Sequence, residues 1–247
     1  MGAFVESAKG WLNAAAAFAY PEVCQLCGDA RATPAESFLC EECRSRVRFI
    51  VPPFCDRCGL PWEGDLTTPF ECTNCRGMEF DFSSARSAVI AGGNVREIIH
   101  RYKYNRALWF ETFLAELLIR QAAPVLCAGK WNLIVPIPLH SRKLREREFN
   151  QAARMARRLG AATGLPVNAR LLRRVVPTLT QTRLSRSERM QNVRRAFALR
   201  RPARLNGRHI VLVDDVFTTG ATSSACARVL RAAGAVEVCV WTIARGI

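Results

Sequence analysis

Two groups of residues in this 247-residue chain have types and spacing that could do chemistry. The first is the run Asp214-Asp215-Val216-Phe217-Thr218-Thr219-Gly220-Ala221-Thr222, which follows the apolar stretch His209-Ile-Val-Leu-Val213. Adjacent carboxylates at the end of a strand can accept hydrogen bonds from vicinal sugar hydroxyls and stand beside a Mg²⁺ ion. Small hydroxyl residues around a glycine, opening a helix, offer N–H and O–H donors to a phosphate. Side by side, the two halves suit a ribose 5-phosphate group. A Walker-type loop is excluded, because the chain contains no Gly-x-x-x-x-Gly-Lys-Ser/Thr string. Singly, an Asp-Asp pair reads as surface charge and Thr-Thr-Gly as a helix cap. The whole string from His209 to Ala221, in a strand–loop–helix context, argues against that blander reading.

The second group is eight of the 11 cysteines, arranged as four Cys-x-x-Cys pairs: Cys24/Cys27, Cys40/Cys43, Cys55/Cys58 and Cys72/Cys75. Two intervening residues let both thiolates of a pair reach one tetrahedral ion. The glycines after Cys27 and Cys58 permit the tight turn that aims amides at sulfur. Four such pairs fit neither a thioredoxin-like motif, which needs one pair beside a βαβ unit, nor a disulfide framework in a chain without a convincing export signal. The spacing predicts two structural zinc sites, each with four cysteine ligands and no open catalytic position. The repeat favours sequential over interleaved pairing and leaves both open. Cys127, Cys226 and Cys239 lie among apolar neighbours and are expected to be buried.

The elements that must carry these groups follow from periodicity. An Ala-rich helix is expected within residues 1–22, the double zinc ribbon over 23–80, and an α/β unit over 81–247. In the last, strands are expected at Ser87–Ala91, Trp131–Pro138, Arg208–Val213 and Val236–Ile243. Helices are expected at Val95–Tyr104, Leu108–Ala122, Asn150–Thr163 and Thr219–Gly234. Buried strands separated by helices imply a mainly parallel sheet with ligands at the carboxyl ends of its strands. No apolar run is long enough to span a bilayer, and a cytoplasmic location is expected.

Charge divides the chain at the same place as the cysteines. Residues 1–90 carry a net −4 and residues 91–247 a net +19. Within 142–208, 19 Lys/Arg stand against Glu146, Glu148 and Glu188, a net +16. Such a block attracts phosphates, on a metabolite or along a nucleic acid, or forms a solvated helix face.

The string at Asp214–Thr222 resembles the phosphoribosyl pyrophosphate (PRPP) motif of type I phosphoribosyltransferases. With the rest of the chain, the resemblance narrows to the ComF family of competence-associated phosphoribosyltransferase-like proteins. It is carried by the zinc ribbons, Tyr102-Lys103-Tyr104, Val135-Pro-Ile-Pro-Leu-His140, Leu144-Arg-Glu-Arg147, Phe149-Asn150-Gln151, Thr180-Gln181, Arg186, Arg189 and Asn192. The resemblance implies an α/β type I phosphoribosyltransferase fold behind an N-terminal double zinc ribbon. It implies that Asp214 and Asp215 hold the ribose hydroxyls and that Thr218, Thr219, Gly220, Ala221 and Thr222 hold the 5′-phosphate. The turn bearing Pro136 and Pro138 would face the pyrophosphate. Pro177–Asn192 would form a flap carrying Arg183, Arg186 and Arg189, with Arg183 and Arg186 acting with the acidic pair in catalysis. Glu148 stands where many members have glycine.

Three functions fit. One is a Mg²⁺-dependent transferase that displaces pyrophosphate from PRPP. The second is a competence-associated single-stranded DNA-handling protein in which the PRPP pocket is regulatory or structural, with competence or recombination proteins as partners. The third is a zinc-ribbon adaptor, which leaves the acidic string unexplained. Phe149 and Phe197 are the only aromatics in 142–208, few for a base-stacking platform.

Overall fold

The computed structural model describes residues 22–62, 72–176, 193 and 195–247. In chain order, the described part of the zinc-ribbon segment holds a 3-10 turn (Pro34–Glu36) and one short α-helix, α1 (Glu41–Ser45). The α/β part then runs through β1 (Ser84–Ile90), α2 (Gly93–Tyr104), α3 (Glu111–Ala128), β2 (Leu133–Pro136), α4 (Ser141–Arg147) and α5 (Gln151–Thr163). It continues through β3 (Leu172–Arg174), β4 (Phe197–Leu199), β5 (His209–Phe217), α6 (Ala221–Ala232) and β6 (Glu237–Arg245).

Four strands form one sheet in the order β1-β6-β5-β2, and every neighbouring pair is parallel. β3 and β4 pair antiparallel as a separate ribbon. Ile210–Val213 and Val238–Ala244 are fully or almost fully buried, the continuous apolar pattern of strands covered on both faces. Two apolar layers cover the sheet. One joins α2, α3 and α5 with Cys24, Cys40, Cys43 and Leu39. The other joins α6, β3 and β4 with Cys55, Cys58, Cys72, Phe80 and Phe82. The cysteine segment is therefore built into both layers, and between its halves Arg48–Ile50 runs along β1. There Ile50 donates to the Ala88 carbonyl (2.9 Å) and Ile90 to that of Arg48 (2.9 Å).

Three expectations are corrected. The strand expected to end at Val213 continues to Phe217, because β6 runs beside it to Arg245 and keeps pairing available. Its helix starts at Ala221 rather than Thr219, since Gly220 sits at φ 83°, a left-handed value that breaks helical continuity. Cys127 is exposed at the end of α3, whereas Cys226 and Cys239 are buried as expected. α4 carries one apolar residue and the β3 and β4 strands only three residues each, too little to show a period. No helix among the described residues is long and apolar enough to cross a membrane.

Candidate functional site

The two cysteine groups are resolved by distance. The sulfurs of Cys24, Cys27, Cys40 and Cys43 lie within 4.8 Å of one another, as do those of Cys55, Cys58, Cys72 and Cys75, so the pairing is sequential. Thiolates at ~2.3 Å from a tetrahedral zinc stand roughly 3.8 Å apart. The Cys58–Cys72, Cys55–Cys75 and Cys27–Cys40 separations of 3.5, 3.7 and 3.9 Å bracket that value. In each unit a left-handed glycine, Gly28 or Gly59, returns its amide to the carbonyl of the first cysteine. Burial pushes the Cys24 thiol up, but the amides of Cys27, Cys40 and Leu26 and the Cys27 thiol outweigh that and bring it down to about 6. These are two zinc-binding sites.

The acidic pair sits where β5 outruns β2. Pro136, the last residue of β2, is buried opposite Val213, so Asp214 and Asp215 extend beyond it, paired only on the β6 side. The turn that follows is pinned twice. Ile137 donates to the Val213 carbonyl (2.9 Å), and Asn150, the N-cap of α5, donates to the Ile137 carbonyl (3.0 Å). Pro138 lies half-buried on that turn. Below the pair, Gly220 is the N-cap of α6 and offers no side chain, while the Thr219 hydroxyl accepts from the Ala221 amide (3.4 Å). A Cβ on Gly220 would stand 2.8 Å from the Phe217 ring and 2.9 Å from Phe80, so only glycine fits. Thr218 is exposed, Thr219 and Thr222 are half-buried, and Ala221 is buried.

Cations converge on the carboxylates. Lys103, at the end of α2, pairs with Asp215 at 2.8 Å, both side chains being largely buried (16% and 14% exposed). Arg174, from β3, is close enough to Asp214 for their charges to interact, and its guanidinium lies over the Phe197 ring. Lys143 on α4 is pushed below its ordinary range, first by burial and then by the charges of Arg147 and Arg174. Burial, followed by the charge of Asp215, pushes the Asp214 carboxyl up to about 7.

The three residues Tyr102-Lys103-Tyr104 divide their work. Tyr102 is buried and donates to Glu111 (3.2 Å), which also takes ion pairs from Arg154 and Arg158 and so locks α2, α3 and α5 together. That lock aims Lys103. Tyr104 is exposed, with the Arg147 guanidinium 4.7 Å over its ring. The sequence carried Lys103 only within a motif; its role needed the fold, because Asp215 lies 112 residues away. Glu148 adopts φ 67° at the end of α4 and pairs with Arg106, which explains why glycine suits this position. Arg183, Arg186 and Arg189, with the rest of the expected flap, lie outside the described residues, as does the expected N-terminal helix up to residue 21.

Similarity now adds its weight. A double zinc ribbon family model matches residues 15–76. Competence protein F of Haemophilus influenzae is 31% identical over 218 residues, covering 85% of this chain and 92% of its own length. The chain belongs to the competence protein F (ComF) family. Another member, the DNA utilization protein YhgH of Salmonella typhi, is 33% identical over 91% of this chain and 97% of its own length. The parallel sheet flanked by helices and the two four-cysteine sites accord with a type I phosphoribosyltransferase fold behind a double zinc ribbon. Among solved structures, a glutamine PRPP amidotransferase from B. subtilis is 26% identical over 53% of this chain and 25% of that chain. Its TM-score is 0.35, an overlap too partial to carry an argument.

Proposed function

We propose that this chain is a single-stranded DNA-handling protein whose phosphoribosyltransferase-like domain binds PRPP, and that PRPP occupancy regulates its grip on DNA. One observation carries the reading: Lys103 pairs with Asp215 and Arg174 acts on Asp214, while Lys143 lies close enough to Arg147, Arg174 and Lys103 to feel their charges. Three of these cations belong to the +16 block, so a phosphate-rich ligand in the pocket and a nucleic acid along the basic face would compete for the same charges. The relatives' names, competence and DNA utilization, support the DNA half.

In this reading Asp214 and Asp215 accept from the ribose 2′- and 3′-hydroxyls, and Asp215 exchanges its Lys103 partner for the sugar. The Thr218–Thr222 loop and the α6 amides hold the 5′-phosphate. Mg²⁺ bound with PRPP supplies charge neutralisation at the pyrophosphate. In this reading Arg183, Arg186 and Arg189 add positive charge for the pyrophosphate. The reduced thiols that both zinc sites need fit a cytoplasmic location.

The acidic string is complete, which favours transfer chemistry as a second reading. A nitrogen nucleophile would form the bond to the ribose C1 as the C1–O bond breaks, the electron pair leaving with pyrophosphate, and Lys143, Arg147 and Arg174 would stabilise that departing charge.

Calorimetry with PRPP and Mg²⁺, combined with anisotropy of a labelled single-stranded oligonucleotide, tests both. The wild type binds PRPP, and the Asp214→Asn/Asp215→Asn variant loses that binding while keeping its fold. DNA affinity falls with salt at a log–log slope of roughly −0.7 per phosphate neutralised and weakens when PRPP is added. DNA binding untouched by saturating PRPP would sink the regulatory reading. Release of pyrophosphate across a panel of nitrogen acceptors would turn it into the transferase reading.

A further inference from the structure

The last strand ends in a buried cation that the proposed pocket does not use directly. Arg245 is only 1% exposed, one of the largest fully buried side chains among the described residues. Its Nη1 donates to the carbonyls of Phe217 (3.1 Å), Gly246 (2.9 Å) and Thr218, and its guanidinium lies 4.8 Å over the Phe217 ring. Phe217 and Thr218 are the residues at which the phosphate loop leaves β5. The same side chain lies close enough to the second zinc site to interact with the sulfurs of Cys58, Cys72 and Cys75, Cys58 foremost, and its Nε is buried and makes none of the carbonyl contacts. A neutral thiol accepts hydrogen bonds weakly, whereas a zinc-bound cysteine is a thiolate and a strong acceptor.

Two further contacts run from that zinc site to the same loop. Phe80, five residues past Cys75, closes on Gly220 and stacks on Phe82 (4.7 Å), which in turn meets Phe217 edge-on (5.9 Å). Asp81 between them accepts from Ser224 on α6 (2.9 Å) and returns its amide to the same hydroxyl (3.0 Å). Among the described residues the first zinc site has no such route. It packs on α2 and α3, where Asn94 donates to the Cys43 carbonyl (3.1 Å).

We propose that Arg245 is a positioning residue that ties the second zinc site to the phosphate loop, so that occupancy of that site, and not of the first, holds the loop ready for a 5′-phosphate. A four-thiolate zinc centre carries net negative charge, and the buried guanidinium offsets it while its remaining donors fix two loop carbonyls. Losing the zinc leaves Arg245 without its anionic partner and the loop without its rear support. The inference deepens the proposed function and rests on its PRPP pocket, but the loop itself can be read without ligand.

The matched test uses the more accessible ligand of each site. Cys75→Ser and Cys27→Ser are compared with Arg245→Met in the full chain by zinc content, by hydrogen exchange of the Phe217–Thr222 amides, and by PRPP calorimetry. Cys75→Ser loses one zinc, speeds exchange of the loop by about tenfold or more and weakens PRPP binding by about tenfold. Arg245→Met does the same to loop and ligand. Cys27→Ser also loses one zinc but leaves loop exchange within about twofold of wild type. Equal loop exchange in Cys75→Ser and Cys27→Ser overturns the inference, as does a folded Arg245→Met protein with wild-type loop exchange. Should Arg245→Met not fold, the two cysteine variants decide alone. A wild type that fails to bind PRPP removes the pocket reading, and the exchange contrast still decides this one.

Discussion

The two zinc sites are near copies in sequence and unlike in what they support. Each repeats a Cys-x-x-Cys-Gly turn with a left-handed glycine, and each closes with a second Cys-x-x-Cys pair. The first is docked on the helical layer, with Arg44 over the Phe113 ring (5.0 Å) and beside Glu116 (3.6 Å). The second is docked on the opposite layer, against the loop between β5 and α6. Local chemistry fixes how a site binds its metal, while the residues flanking it fix what that metal holds in place. A repeated motif need not be a repeated function.

The consequence reaches the acidic pair from two directions. Through the first site and the Glu111 lock, α2 is held so that Lys103 meets Asp215. Through the second, the loop that would receive the phosphate is held from behind. One half of the cysteine segment thus supports the acidic pair and the other the loop that follows it.

The largest expected effect comes from removing zinc at one site at a time. Cys24→Ser and Cys58→Ser should each reduce the content from two zinc ions per chain to one, because a structural zinc contributes directly to local folding energy. Elemental analysis checks the stoichiometry. Exchange mapping should then place the loosened amides of Cys24→Ser in α2 and α3, and those of Cys58→Ser around β1 and the phosphate loop. Identical maps for the two variants would erase the contrast.

Some of this was legible in the sequence and some was not, for physical reasons. Cys-x-x-Cys spacing is a local property, so all eight ligands and the glycine turns could be read directly. The Asp214–Thr222 string is also local, and its placement at the carboxyl end of a strand followed from an apolar run meeting a glycine. What the sequence could not show was Lys103 opposite Asp215 or Arg245 behind Thr218, because each contact joins distant elements and depends on which layer each ribbon docks against. The strand's continuation to Phe217 was hidden for the same reason: Asp214 and Asp215 look like a terminus until β6 is seen beside them.

A middle-sized effect tests the sugar side. Lys103→Met leaves Asp215 unpaired next to Asp214, and should destabilise the fold by roughly 1–3 kcal/mol. That is less than the ~3–5 kcal/mol of a fully buried pair, since both groups keep some solvent contact. If the first zinc site acts by holding α2, Lys103→Met and Cys24→Ser should be non-additive in a double-mutant cycle, whereas Lys103→Met and Cys58→Ser should add. Denaturant unfolding of the four variants checks this, and additivity in both cycles would detach the first site from the pocket.

The smallest effect concerns proton balance, and its sign is set by Asp214. Burial, then the charge of Asp215, pushes this carboxyl up to about 7, against the Asp215 amide and the charges of Lys103 and Arg174. In the unfolded chain the same group ionises near its ordinary value of about 4. Between those values the native state binds more protons than the unfolded state, so stability must fall as pH rises. The contribution is fully present below pH ~4 and lost by pH ~7, above which both states are ionised and the curve levels off. Asn at this position resembles the protonated acid and has no such slope. Asp214→Asn should therefore be more stable than wild type at pH 8, by about 1–3 kcal/mol, with the gap closing as pH falls below 7. Thiolate protonation and zinc release at low pH act on both proteins alike, so the difference between them isolates Asp214. PRPP affinity should move the other way, rising as pH increases through about 7, because the ribose hydroxyls need an ionised acceptor. Paired thermal melts and calorimetry from pH 5.5 to 8 read both trends. A stability gap that does not change over that range would mean that Lys103 and Arg174 keep Asp214 ionised throughout, and that the cations rather than burial govern the sugar side of the pocket.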